Sequence, residues 1–67
     1  MLEAHESIDV HKKNGNVYTI QPIMAKTDAD PKPAVRIWHN GVVLQAFYSD
    51  TIEEGMDRAF SIIKGLN

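Results

Sequence analysis

The chain has 67 residues, of which 43% are hydrophobic and 24% charged, with a formal net charge of −2. A chain of this length forms one small domain, residues 1–67, near the lower limit for folding alone. Because it has no cysteine, disulfides and thiolate zinc sites are excluded, and good packing or self-association must supply the stability. The acidic balance disfavours nucleic-acid binding, which usually requires a basic surface.

Two absences suggest where the protein acts. No apolar run approaches the ~20 residues that a membrane-spanning helix needs. Residues 1–6 lack the basic start and the apolar centre of a secretory signal. We therefore expect a cytoplasmic protein.

Residues 3–13 and 17–24 are predicted to form a first β-hairpin. Apolar and polar residues alternate in the first segment, which is the pattern of a half-buried strand. The turn signal between the two segments is Asn14-Gly15-Asn16. A three-residue loop there sets Val10 opposite Ile20 and keeps the apolar side chains on one face.

Breaker residues follow this hairpin. Pro22 cannot donate to a strand ladder, so we expect a bulge, a sheet edge or the end of the strand there. Residues 25–33 are rich in Asp and Pro and are predicted to be a flexible loop between two hairpins.

Residues 34–39 and 42–48 are predicted to form a second hairpin. Asn40-Gly41 between two alternating runs is the strongest short hairpin signal. A two-residue loop places three pairs on one face, namely His39 with Val42, Ile37 with Leu44, and Val35 with Ala46. It places three more pairs on the other face, namely Trp38 with Val43, Arg36 with Gln45, and Ala34 with Phe47.

An amphipathic helix is predicted over residues 51–64. Asp50 or Thr51, each followed three residues later by a glutamate, begins it with a capping box. Gly55 lies within the apolar arc, so we expect the helix backbone to approach the sheet closely there. Gly65 is predicted to end the helix.

This order of elements predicts an α+β protein: a four-stranded antiparallel sheet, built from two hairpins, with one C-terminal helix packed on one face. The strand order stays open, since a meander and a rearranged sheet share these hairpins. The predicted core contains the apolar residues that face the helix or lie on its apolar arc: Ile8, Val10, Tyr18, Ile20, Val35, Ile37, Val42, Leu44, Ala46, Ile52, Met56, Ala59, Phe60 and Ile63.

The sheet face without a helix is the predicted functional surface. Trp and Arg are enriched at the energetic anchors of interfaces, and both are expected on this face. The candidate partner-binding residues are Arg36, Trp38, Val43, Gln45, Phe47, His11 and Val17.

Four interpretations of this face remain open. The partner is another protein, or a second copy of the chain in a homodimer. A third alternative is single-stranded nucleic acid stacked on Trp38 and Phe47. In the fourth, the N-terminal residues or the loop at 25–33 cover Trp38 as a second layer of core.

We expect no enzyme, cofactor or metal. His5, His11 and His39 match no metal-ligand spacing. Asp9 and His11 are explained as the polar side of a half-buried strand. One sheet with one helix also leaves little room for a pocket. The sequence predicts a non-enzymatic protein-interaction module, a small accessory or inhibitor-type protein.

Residues 34–60 are similar in outline to the sheet-plus-helix arm-binding domains of phage-type integrases. The similarity rests on the Arg36-Ile37-Trp38 strand, the Asn40-Gly41 turn, Phe47, and Thr51-Ile52-Glu53-Glu54-Gly55 opening a helix. The resemblance covers under half the chain and implies DNA contact through the sheet. Those domains contact DNA through a sheet rich in Lys and Arg. In this chain only Arg36 is at such a position, with Gln45 opposite. The same outline occurs in small bacterial and phage accessory proteins.

Overall fold

The computed structural model describes residues 3–4, 6–26 and 30–66, with the backbone alone at 3–4. The elements in chain order are β1 (Glu3–Ala4), β2 (Ile8–His11), β3 (Val17–Ala25), β4 (Lys32–His39), β5 (Val42–Tyr48) and α1 (Ile52–Lys64). All strand pairs are antiparallel. The predicted architecture, an antiparallel sheet followed by one helix packed on it, is confirmed.

The sheet is a meander in the order β1-β3-β4-β5, with β2 also paired to β3. Ile20 lies between Ile8 of β2 and Ile37 of β4, so β2 and β4 flank β3 on opposite sides. Ile23 lies in the same way between Ala4 of β1 and Ala34 of β4. The single first strand predicted over residues 3–13 is therefore two segments along one side of β3.

The break between β1 and β2 lies opposite Pro22. β1 pairs with β3 as far as Ile23, and β2 pairs with it from Ile20. Pro22 itself pairs with Val35, and β3 continues to Ala25. A proline offers no N–H, so the predicted interruption occurs in the neighbouring segments rather than in β3.

The loop predicted at 25–33 is shorter than expected, because both of its ends belong to strands. Ala25 is the last residue of β3, and Lys32 is the first of β4. Residues 27–29 of that predicted loop lie outside the described residues.

The first hairpin turns one residue earlier than predicted. The Lys12 N–H donates to the Asn16 carbonyl at 2.8 Å, and Gly15, with φ of 95°, donates to the Lys12 carbonyl at 3.0 Å. Val10 therefore lies opposite Tyr18, not opposite Ile20. A shift of two positions keeps every side chain on its face, which is why hydrophobic pattern alone did not choose between these registers.

The second hairpin turns as predicted but contains a bulge in β5. Asn40 and Gly41 both have positive φ, of 52° and 78°, as a type I′ turn requires. The first two cross-strand pairs are those predicted. The register then shifts by one residue between Trp38 and Ile37, so Ile37 pairs with Gln45. The other four predicted pairs are wrong.

The bulge exchanges the two faces of β5 after Leu44. Phe47 now pairs with Val35 and packs against the core, where the predicted register placed Ala46. An aromatic side chain buries far more apolar surface than a methyl group, which is the physical gain from the shift. The same shift places Ala46 and Tyr48 on the face turned away from the helix.

The helix begins and ends as predicted. Thr51 is the N-cap, and its hydroxyl accepts a hydrogen bond from the Glu54 N–H at 3.1 Å. Gly65 follows the last residue and donates to the Ile62 carbonyl at 3.1 Å. The predicted close approach at Gly55 is confirmed, because a Cβ there would lie 2.7 Å from Cγ2 of Val35.

The core lies between α1 and the two central strands. It consists of Tyr18, Ile20, Val35, Ile37, Ala59 and Ile63, all of them predicted, with Val10 and Met56 packed against it. The residues wrongly predicted as core are exposed: Ile8, Val42, Leu44, Ala46 and Phe60. Because α1 packs over β3 and β4, the outer strands extend beyond its cover.

Lys12 connects the first hairpin to the end of the helix. Its Nζ donates to the Ile63 carbonyl at 2.8 Å, where a cation also compensates the helix macrodipole. Lys12→Met should lower the free energy of unfolding by about 1 kcal/mol. Lys13→Met, at the exposed neighbouring position, should change it by less than about 0.5 kcal/mol. Urea denaturation followed by circular dichroism measures both, and equal losses would contradict the assigned role.

Candidate functional site

The open face is the side of the sheet turned away from α1. Two side-chain hydrogen bonds across it show which residues share this face: Thr19 to Asp9 at 2.8 Å, and Trp38 to Gln21 at 3.0 Å. The strand registers place the following residues here: Asp9, His11, Val17, Thr19, Gln21, Ile23, Ala25, Lys32, Ala34, Arg36, Trp38, Val43, Ala46 and Tyr48.

Trp38 is held in place on this face and remains partly accessible. It lies directly between Thr19 of β3 and Val43 of β5. Its indole Nε1 donates to Oε1 of Gln21, which fixes the ring along β3. The side chain is half-buried and lines a shallow depression of about 350 Å³ together with Ser7 and Gly41. An accessible, oriented indole of this kind is an effective contact for a partner.

Arg36 occupies the centre of the open face. It is half-buried, between Gln21 and Ala46 on the adjacent strands. Within the described part of the chain its guanidinium makes no hydrogen bond or ion pair. It borders a depression of about 200 Å³ whose walls include Ile23, Ala34, Ala46 and Tyr48. A guanidinium that makes no ion pair with the described residues therefore lies at the rim of this apolar depression, which we call the apolar hollow.

Five of the seven predicted candidates lie on the open face: Arg36, Trp38, Val43, Val17 and His11. The predicted positions of Gln45 and Phe47 are wrong, because the bulge turns both to the helix side. Phe47 lies there beneath Arg58, whose guanidinium is 4.6 Å from the ring centroid.

Sequence reasoning missed the residues that make the hollow beside Arg36. Tyr48 is 55% exposed on the open face, and Ile23 and Ala34 form its buried floor. One signal was present, since the apolar run Val42-Val43-Leu44 breaks strand alternation and is typical of a bulge. Nothing in the sequence fixes where within that run the register shifts.

The histidines do not come together. His11 is exposed on the open face, whereas His39 lies on the helix side, stacked on Tyr18 with 4.5 Å between ring centroids. His5 lies outside the described residues. Across the residues that are described, no group of three or more His, Asp or Glu could hold a metal ion.

The described residues define a class of protein: a small α+β domain with a C-terminal helix packed on one face of an antiparallel sheet. No protein-family model matches the chain, and neither a curated protein nor a solved structure gives a significant match. In the described part of the chain, no helix has the length and apolar character needed to cross a membrane.

Proposed function

We propose that this chain is a non-enzymatic protein-interaction module, a small accessory or inhibitor-type protein, that binds its partner through the open face. The observation that carries the proposal is the half-buried Arg36, which makes no ion pair with the described residues, between Trp38 and the apolar hollow. The proposed location is the cytoplasm, with which a chain lacking cysteine is compatible.

The chemistry of the face indicates what the partner carries. A carboxylate can accept two parallel hydrogen bonds from a guanidinium, and such charge-assisted pairs are about twice as strong as neutral ones. The hollow lined by Ile23, Ala46 and Tyr48 accepts an apolar side chain next to that carboxylate. We therefore propose a partner segment with Asp or Glu beside a bulky apolar residue.

The energy of such an interface is expected to be concentrated in a few residues. Trp, Tyr and Arg are the types that dominate alanine scans, and Trp38, Tyr48 and Arg36 place all three on one face. Partner contacts would also desolvate Arg36 further, which strengthens its pairing with a carboxylate.

A protein partner is favoured over nucleic acid by the charges on the face. Sheets that bind single strands present a positively charged groove with aromatic platforms. Here Arg36 and Lys32 share the face with the carboxylate of Asp9, and the whole chain carries a net charge of −2. Phe47, one of the two predicted platforms, is turned to the helix side.

Selection from a random peptide display library tests the proposal. The wild-type protein should enrich peptides in which an acidic residue adjoins a bulky apolar one. Arg36→Glu should lose that enrichment, because the central charge is reversed. Arg36→Lys should keep the acidic preference with affinity weaker by about tenfold, since lysine cannot form the bidentate pair.

Three results would overturn the proposal. One is enrichment that is the same for wild type and for Arg36→Glu. Another is enrichment without acidic residues. The third is tight, salt-sensitive binding of labelled oligodeoxythymidine at the same face, which would assign the face to nucleic acid. Circular dichroism of each variant confirms that it is folded.

A further inference from the structure

The outer edge of β5 is an unprotected strand edge. β5 ends the sheet, so its side away from β4 has no strand partner among the described residues. Its seven residues include no charge and no proline, and six of them are exposed. Such an edge presents backbone N–H and C=O groups that can pair with another strand.

The opposite edge of the sheet is built differently. It is divided into the short segments β1 and β2, and it carries Glu3, Asp9 and His11. Interruptions and charges are the usual means by which proteins block edge pairing. β5 has only its bulge, and beyond the bulge residues 45–48 pair regularly with β4.

Apolar side chains flank the β5 edge without cover from the helix. Val42 is 59% exposed and Leu44 is 50% exposed. The helix packs over β3 and β4, and on this side it reaches out only as far as the contact of Arg58 with Phe47. A second strand laid along residues 44–48 would cover Leu44 and satisfy the backbone groups at once.

We infer that β5 pairs antiparallel with β5 of a second copy of this chain, forming a homodimer with one continuous sheet. The strand is uncharged, so a two-fold axis places no like charges opposite each other. Directly paired residues must share a face, and a two-fold axis at Ala46 satisfies this condition. That register sets Ala46 opposite its own copy, and Gln45 opposite Phe47 of the second copy.

The dimer is weak and independent of the proposed partner. One pair of short strands is small beside the roughly 1,600 Å² of a standard interface, so its dissociation constant belongs in the micromolar range or above. Both helices lie on one side of the joined sheet, and both open faces lie on the other. Arg36 and Trp38 therefore remain accessible in the dimer.

Sedimentation equilibrium over micromolar to millimolar concentrations tests the inference. The wild-type protein should show an average mass that rises with concentration from that of the monomer toward that of the dimer. Leu44→Lys places a charge on the edge and should raise the dissociation constant by about tenfold or more. Phe60→Lys is the matched control, since it removes an exposed apolar side chain and adds the same charge on the helix. It should leave the equilibrium unchanged.

Hydrogen exchange supplies a second readout that is specific to backbone pairing. Outward-facing amides of β5 should exchange more slowly as concentration rises, and those of β2 should not. If Leu44→Lys fails to fold, Gln45→Lys at the neighbouring exposed position replaces it.

The inference is overturned if wild type stays monomeric throughout. It is also overturned if the edge variants dimerise as wild type does, or if Phe60→Lys dissociates the dimer. Blue-shifting Trp38 emission on dimerisation would instead place the interface on the open face. A monomeric wild type, or a failure of the edge variants or of the control, does not bear on the peptide selection, so the two proposals fail separately.

Discussion

Ile37→Ala is expected to lower the free energy of unfolding by about 2–5 kcal/mol, the range for deleting a fully buried branched side chain. Ile37 is 0% exposed and lies in the core cluster with Ile20 and Ile63. A domain of this length has a total stability of about 3–10 kcal/mol. The variant is therefore expected to lose a large part of its stability. Urea denaturation followed by circular dichroism gives the difference.

Leu44→Ala is the matched control for Ile37→Ala. Its effect on the free energy of unfolding tests the register of the second hairpin. Without the bulge, Leu44 would lie opposite Ile37 in the core, and its truncation would destabilise comparably. With the bulge it is 50% exposed, and we expect a loss below about 1 kcal/mol. Similar losses for the two variants would contradict the bulged register.

The contrast between these two residues shows which cross-strand pairs can be predicted from the hydrophobic pattern and the turn. The Asn40-Gly41 turn fixed the first two pairs of the hairpin, because local backbone preference decides a two-residue turn. The position of the bulge depends on burying Phe47 against Val35, which is a tertiary gain with no local sequence signature. Because the register shifts by one residue at the bulge, every residue of β5 beyond it lies on the face opposite to the predicted one.

The same shift divides the candidate site into predictable and unpredictable parts. Arg36 and Trp38 follow from alternation in β4, a strand without irregularity. Tyr48 joins the site only because of the bulge. Ile23 was missed for a different reason, since a bulge, a sheet edge or the end of the strand was expected at Pro22, and β3 instead runs on to Ala25.

Gly55→Ala is expected to destabilise the protein, although alanine is the better helix former. Intrinsic propensity alone predicts a gain of about 1 kcal/mol. The added Cβ, however, would lie 2.7 Å from Cγ2 of Val35 and 2.7 Å from Oγ of Ser49. Val35 is 0% exposed and has no free space to move into. Overpacking of this kind typically costs about 1–3 kcal/mol.

The second contact adds to this cost. Oγ of Ser49 donates to the Thr51 carbonyl at 2.7 Å, just before the helix begins. Rotating Ser49 away from the new methyl group would break that bond, which is worth about 1 kcal/mol. We therefore expect Gly55→Ala to lose about 1–3 kcal/mol, because the lost hydrogen bond and the propensity gain nearly cancel.

Ser61→Ala is the propensity control, because Ser61 is exposed on the same helix. It should be neutral or slightly stabilising. A double-mutant cycle with Val35→Ala then isolates the steric part. Removing the methyl group at Cγ2 should make Gly55→Ala less destabilising by at least about 0.5 kcal/mol, as expected for residues in contact. A stabilising Gly55→Ala in the wild-type background, or a cycle without coupling, would mean that the helix stands farther from β4 than the 2.7 Å approach implies.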